Sequence, residues 1–316
     1  MSIISTFNPY LTFIISLVLL IYGSNLVIDQ SKVIATKFKV SNLIIGITVI
    51  AFGTSFPELI VGILSSLKNQ GDIAISNVIG SNIANIGFVL ALVAIIKPIH
   101  IDVNNKLLYN LFYLFLSSFL LIVISCSNNF SKIDGLVMLS FFLLYMYFLL
   151  KIFSRENSFL DDRIDEQLNI LNIIKLLLGF VLLAVGSEYL INISVNISER
   201  LNFVNNIAIS MTVVAFGTSV PELMTCLIAL IKKEEGLALG NILGSNIINI
   251  LLIIGLSSIV RPISLNYNLI SEHLIILSIL TILLILTTYM LNKINRISGY
   301  FFISIYFIFI YINFLT

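Results

Sequence analysis

The chain has 316 residues, of which 59% are hydrophobic and only 10% charged, with 17 Lys and Arg set against 16 Asp and Glu. So few charges cannot solvate a soluble domain of this length, and a mean hydropathy of +1.08 is that of a polytopic membrane protein. A net charge of +1 gives no signal for nucleic acid or acidic partners.

Apolar runs of about 18 to 25 residues, long enough to cross a hydrocarbon core of about 30 Å as helices, recur along the chain. Ten are predicted, over 9–30, 41–68, 72–96, 104–126, 132–153, 170–198, 203–231, 236–260, 267–291 and 297–315. Alternating ten-residue strands, the pattern of an outer-membrane barrel, are not what the chain shows. No Lys or Arg precedes the first run, whereas Lys32, Lys37 and Lys39 follow it, which is not the order of a cleavable signal peptide.

With ten crossings, Lys68, Lys132, Arg200 and Arg261 fall on one side and the other 13 basic residues on the opposite side. The positive-inside rule makes the basic side cytoplasmic, in a cell (inner) membrane, with both termini extracytoplasmic. The long polar connection, residues 154–169, is then a cytoplasmic linker between residues 1–153 and 170–316. Cys126 and Cys226 lie in different apolar runs and are expected to be membrane-buried, with no disulfide or metal spacing. His100 and His273, near segment ends, are expected at the interface, and Asp29 and Glu188 as interfacial or helix-pairing groups.

Self-comparison is more informative. TVIAFGTSFPEL at 48–59 returns as TVVAFGTSVPEL at 212–223, and NVIGSNIANI at 77–86 as NILGSNIINI at 241–250, at an offset of 222 − 58 = 164. A rough echo links YGSNL to AVGSEYL in the first and sixth segments. Five crossings per half is an odd number, so the second copy enters the membrane from the other side. The expected fold is therefore all-α, ten transmembrane helices in two inverted five-helix repeats, a transporter architecture with its site near the midplane.

The doubled motif carries the chemistry. Pro57 cannot donate to the carbonyl of Gly53, nor Pro221 to that of Gly217, so both helices should open there and free carbonyls for a cavity or a cation. Helical spacing puts Ala51, Thr54, Ser55 and Glu58 on one face, and Ala215, Thr218, Ser219 and Glu222 on another. Asn77, Ser81 and Asn85, like Asn241, Ser245 and Asn249, recur every four residues and add amide and hydroxyl oxygens, while Gly80 and Gly244 allow close approach. A carboxylate at the bilayer centre costs at least about 2.5 to 3.5 kcal/mol on insertion scales. No basic residue is predicted at the depth of Glu58 and Glu222, so a bound cation is the simplest counter-charge. The all-oxygen set suits Ca2+ and Na+ rather than transition metals.

These residues resemble the sodium/calcium exchanger family of the calcium/cation antiporter superfamily, whose two repeats carry GTS-x-PE and G-N-x-x-G-S-N, here over essentially the whole chain. The resemblance is to a prokaryotic member without large regulatory domains. It implies Na+/Ca2+ antiport by alternating access at one central site, with no cofactor and no catalytic residues. It also implies that Glu58 and Glu222 are shared between the two ions, with Thr54, Ser55, Ala51 and Ser245 on one flank and Thr218, Ser219, Ala215 and Ser81 on the other. The family's known sodium/calcium exchangers carry an aspartate where this chain has Asn249, opposite Asn85, so a titratable group is missing. Ca2+/H+ exchange and K+-dependent Na+/Ca2+ exchange by the same fold stay open, as do an intramembrane enzyme and a passive channel. A monomer or weak oligomer is expected.

Overall fold

The computed structural model describes residues 9–100, 105–153, 169–200 and 215–315, almost all of them helical. In chain order the helices are α1 (Pro9–Phe38), α2 (Asn42–Thr54), α3 (Phe56–Leu67), α4 (Gly71–Ile96), α5 (Asn105–Ser125) and α6 (Lys132–Phe153). There follow α7 (Ile170–Arg200), α8 (Ala215–Thr218), α9 (Val220–Ile231), α10 (Glu235–Val260), α11 (Tyr267–Leu291) and α12 (Arg296–Leu315). Among the described residues eight helices are long and apolar enough to span a bilayer, and α2 with α3 forms a ninth span bent by 45°. The predicted segment 203–231 lies outside the described residues up to 214; the rest of it is α8 and α9. The chain is thus a multi-pass membrane protein.

Among the described residues, four two-residue strands join the helix ends. β1 (Ile99–His100) pairs antiparallel with β4 (Lys293–Ile294), and β2 (Asn129–Phe130) with β3 (Ile263–Ser264). Adding 164 to the partners Ile99 and Phe130 gives Ile263 and Ile294, so the two ladders consist of the same pairs in exchanged order. The 164-residue offset also relates the left-handed residues Asn69 to Lys233 and Asn128 to Asn292. It relates the wide π-helical turns as well, Asn85–Leu90 inside α4 and Ile248–Ile254 inside α10. Extra-residue turns of this kind re-aim side chains and concentrate at functional sites.

The core is formed by α4 and α10, which are buried along most of their length, with α2, α3, α8 and α9 packed on them. Long apolar helices surround this centre and expose Leu, Ile and Phe outward, as a lipid-facing surface should. The pair α1 and α7 packs along its length to one side. Contact between α10 and α2 is backbone to backbone: a Cβ at Gly240 would overlap the Leu43 carbonyl and lie 3.0 Å from the Gly46 Cα.

Two expectations are corrected. Cys126 is exposed in the turn that follows α5 rather than membrane-buried, because α5 ends one residue earlier. His273 is buried rather than interfacial, since its position in the second turn of α11 faces α12, where its Nε2 lies 3.1 Å from Asn313 Oδ1. His100 is exposed and Cys226 buried. Asp29 pairs α1 with the end of α9 through Lys232 at 2.7 Å, while Glu188 is exposed on α7.

Candidate cation site

Each doubled motif folds as a helix, a one-residue break and a second helix. The break falls on Ser55 (φ −82°, ψ 9°) and on Ser219 (φ −83°, ψ 0°), because the prolines at 57 and 221 stand in the first turn of α3 and α9 and donate nothing back across the junction. Glu58 and Glu222 consequently sit in the first turns of α3 and α9. There the unpaired N–H groups and the helix dipole favour negative charge. Both side chains are fully buried and lie within electrostatic reach of each other.

The halves interlock around this pair. Glu222 Oε1 accepts hydrogen bonds from Ser55 Oγ and from Ser245 Oγ, each at 3.2 Å. Thr54 Oγ1 donates to Asn241 Oδ1 at 3.0 Å and lies 3.5 Å from Ser245 Oγ. Across the site Ser81 Oγ is 3.2 Å from Thr218 Oγ1 and 3.5 Å from the Ala215 carbonyl. Thr218 and Ser81 face Glu58 without a well-formed hydrogen bond to it, so both Glu58 oxygens lack a partner of good geometry. The Ala51 and Ala215 carbonyls accept the amides of Ser55 (3.0 Å) and Ser219 (3.1 Å) and also the hydroxyls of Thr54 (3.4 Å) and Thr218 (3.2 Å).

Asn85 and Asn249 enter an amide cluster one turn along from Ser81 and Ser245. Asn85 Nδ2 donates to Asn246 Oδ1 (3.1 Å), Asn249 Nδ2 to Asn82 Oδ1 (3.0 Å), and Asn82 Nδ2 to the Asn246 carbonyl (3.1 Å). The Oδ1 atoms of Asn85 and Asn249 are left without donors. Asn82 and Asn246 fall outside the four-residue spacing of the candidate residues, although the repeated Ser-Asn pair contains both. Donating to them through Nδ2 holds the Asn85 and Asn249 side chains with their oxygens unengaged.

The expectation that the proline breaks free carbonyls for a cation needs correction at Gly217. Its carbonyl accepts a 2.6 Å hydrogen bond from Ser187 Oγ of α7, so a neighbouring helix satisfies it. Ser187 stands in the echo sequence AVGSEYL, whose counterpart Ser24 bonds Leu20 of its own helix at 2.7 Å. At Gly53 the Phe180 ring takes the space a side chain would fill.

Around the two glutamates, the buried acceptors left without donors include both Glu58 oxygens, Glu222 Oε2, Asn85 Oδ1 and Asn249 Oδ1, joined by the unpaired Ser219 hydroxyl. Unpaired buried carboxylate oxygens are costly in protein interiors, and the cost is largest for a charged group. Among the described residues no Lys, Arg or His pairs with either glutamate, and no cluster of three or more His, Cys, Asp and Glu side chains forms. The donor set is therefore two carboxylates with neutral oxygens, the chemistry of a hard cation.

Residues 8–151 and 171–315 match the family described as sodium/calcium exchanger protein. An uncharacterized membrane protein of Methanocaldococcus jannaschii is 37% identical over 299 residues, which span 94% of this chain and 95% of that protein. The sodium/calcium exchanger MaX1 of Methanosarcina acetivorans is 29% identical over 296 residues, 81% of this chain and 84% of its own length. Among solved structures, the sodium-calcium exchanger NCX_Mj soaked with Na+ and Sr2+ superposes with a TM-score of 0.81 at 35% identity, over 95% of this chain and 96% of that one. By sequence and by fold alike, this chain belongs to the sodium/calcium exchanger family.

Proposed function

We propose that the protein is a secondary antiporter that exchanges Na+ for Ca2+ by alternating access at the site between Glu58 and Glu222. The observation that carries this reading is the pair of fully buried carboxylates, one from each copy of the motif, with three of their four oxygens unpartnered and, among the described residues, no basic side chain beside them. Two carboxylates neutralise one Ca2+ or two Na+, so the ions compete for one charge. Thr54, Ser55, Ala51 and Ser245 flank Glu222, and Thr218, Ser219, Ala215 and Ser81 flank Glu58. Asn85 and Asn249 supply neutral oxygens where the motifs meet.

Residues 1–153 and 170–316 act as two five-helix repeats of opposite orientation, joined by the linker 154–169. The matched strand ladders, π-helical turns and breaks at Ser55 and Ser219 support this symmetry. Both termini face outward from a cell membrane, and the protomer is a monomer or weak oligomer. Family membership sets aside the intramembrane enzyme.

Purified protein in liposomes, with Na+, K+ and pH gradients imposed separately, tests the coupling. Ca2+ uptake should follow the Na+ gradient, and uptake driven only by a pH gradient, or only with K+ present, would transfer the assignment to the corresponding exchanger. Replacing Glu58 or Glu222 by Gln should weaken Ca2+ binding by at least about 100-fold, roughly 2.7 kcal/mol. Wild-type binding in either variant, measured calorimetrically, refutes the site.

A further inference from the structure

The seam between α3 and α4, like its counterpart between α9 and α10, ends in a tight turn with one left-handed residue, Asn69 or Lys233. Beside the Asn69 turn opens a cavity of about 270 Å³, close to the lower bound of small-molecule sites, roughly 300 Å³. Its walls are the turn, the start of α4 and the segment that leads from α10 into α11. That segment is pinned from behind. β3 pairs with β2, the Leu265 amide donates to the Asn128 carbonyl at 2.9 Å, and the Tyr267 amide donates to Asn128 Oδ1 at 2.8 Å. On its other side Ile263 packs so close to Gly71 that a Cβ there would lie 2.6 Å away.

Two opposite charges stand on these walls without partners. Asp72, partly buried in the first turn of α4, and Arg261, exposed just past the end of α10, both line the cavity. Neither forms an ion pair with the other or with any described side chain. Ser66 and Ser76 line the cavity from positions only 1% exposed, and their hydroxyls have no hydrogen-bond partner. Serines inside apolar helices ordinarily spend the hydroxyl on their own helix, as Ser65 does with the Val61 carbonyl at 2.5 Å. Asp72 and Ser76 are four residues apart and share one face of α4, which joins the carboxylate and a hydroxyl into one acceptor patch.

A simple cation at this patch would satisfy Asp72 and leave Arg261 unmatched, and a simple anion would do the reverse. A ligand that carries both an ammonium and an anionic group satisfies both through charge-assisted hydrogen bonds. A primary ammonium has three donors for the carboxylate and the serine oxygens, whereas a quaternary one has none.

The surroundings indicate the source of such a ligand. α3 ends at Leu67 and α10 at Val260, which are 57% and 39% exposed, and Leu269 in the first turn of α11 lines the cavity and is 52% exposed. Apolar side chains exposed at the ends of three spans mark the level where hydrocarbon gives way to headgroups. The cavity therefore opens at headgroup depth, with its charges at the polar end and its apolar rim toward the acyl chains.

We propose that this cavity binds the headgroup of a phospholipid that carries a primary ammonium and a phosphate. The ammonium donates to Asp72 and to the Ser66 and Ser76 hydroxyls, the phosphate accepts from Arg261, and the acyl chains lie over Leu67, Val260 and Leu269. The site is separate from Glu58 and Glu222 and stands whichever ion drives exchange.

The experiment uses full-length protein, stripped of lipid in detergent and titrated with phosphatidylethanolamine, phosphatidylcholine and phosphatidylglycerol of identical acyl chains, with bound lipid counted by native mass spectrometry. One phosphatidylethanolamine should bind at least about tenfold more tightly than either other lipid, since only it pairs with both charges. Asp72→Asn and Arg261→Gln should each reduce that preference to within about twofold, while Lys97→Gln, at the position that matches Arg261 on the other face, should leave it unchanged. Ca2+ binding by all three variants should stay within about twofold of wild type, which shows that they fold. Equal binding of the three lipids, a preference that survives both Asp72→Asn and Arg261→Gln, or one lost equally in Lys97→Gln overturns the site.

Discussion

Glu58 and Glu222 occupy the same place in two copies of one motif, at the first turn after the same break, yet their surroundings differ. Glu222 is held through one oxygen by Ser55 and Ser245, while the counterparts Ser219 and Ser81 leave both Glu58 oxygens unpartnered. Equal motifs give equal backbones. The residues one or two turns away are where the halves diverge: Thr225 against Val61, Gly240 against Ser76, Leu230 against Ser66.

Exchanging those residues between halves breaks the comparison most sharply at position 240. A Cβ there meets the Leu43 carbonyl and the Gly46 Cα, backbone atoms that cannot swing aside. Gly240→Ser, which copies Ser76 into the second half, should destabilise by about 3 kcal/mol or more, the upper range for overpacking. Ser76→Gly should cost only about 1 kcal/mol, the helix penalty of glycine, since the serine hydroxyl has no partner to lose. Thermal unfolding in detergent measures both, and equal losses would mean that the two seams are packed alike.

Next in size is the anchoring of the asparagines. Thr225→Val removes the hydroxyl that accepts from Asn241 and leaves its amide nitrogen only the long contact of 3.7 Å to Cys226. Stranding such a group costs about 1 to 3 kcal/mol. The reciprocal Val61→Thr should be neutral or stabilising, because it gives Asn77 a partner it lacks. If Thr225→Val unfolds at the wild-type temperature, the threonine is not what separates the halves.

Much of this was legible in the sequence because it follows from local rules. The recurring apolar runs, the 164-residue offset and the proline breaks need only helical spacing and hydropathy, whereas Thr54 and Ser55, expected on one face with Glu58, turn at the break to Asn241 and Glu222 of the other half. Less accessible were contacts set by how helices meet. Ser187 reaches the Gly217 carbonyl because α7 crosses α8 there, and only the faint echo of GSN in AVGSEYL hinted at it. Asn82 and Asn246 differ from their neighbours Asn85 and Asn249 by orientation about the helix, which spacing alone assigns no role. His273 faces inward because of the rotation of α11 against α12, invisible to a hydropathy profile.

The smallest effect is expected at the ion pairs that close one face of the bundle. Lys97 meets Glu235 at 2.8 Å and Lys32 meets Glu234 at 2.8 Å, with the His100 amide donating to Glu235 at 3.0 Å. On the other face Gln70 and Gly71 take the places of Glu234 and Glu235, so Arg261, the counterpart of Lys97, has no matching carboxylate. Nor can position 71 accept one easily, since a Cβ there would lie 2.6 Å from the Ile263 side chain. At these matched positions one face is therefore tied by charge and the other is not. Lys97 is 42% and Glu235 22% exposed at the side chain, so solvent screens most of their attraction. Glu235→Gln should lower stability by less than about 1 kcal/mol, and high salt should erase the difference. A larger loss that persists in high salt would mean that Glu235 acts through the His100 amide as a buried strut for β1, and the contrast between the faces would then be one of packing rather than of charge.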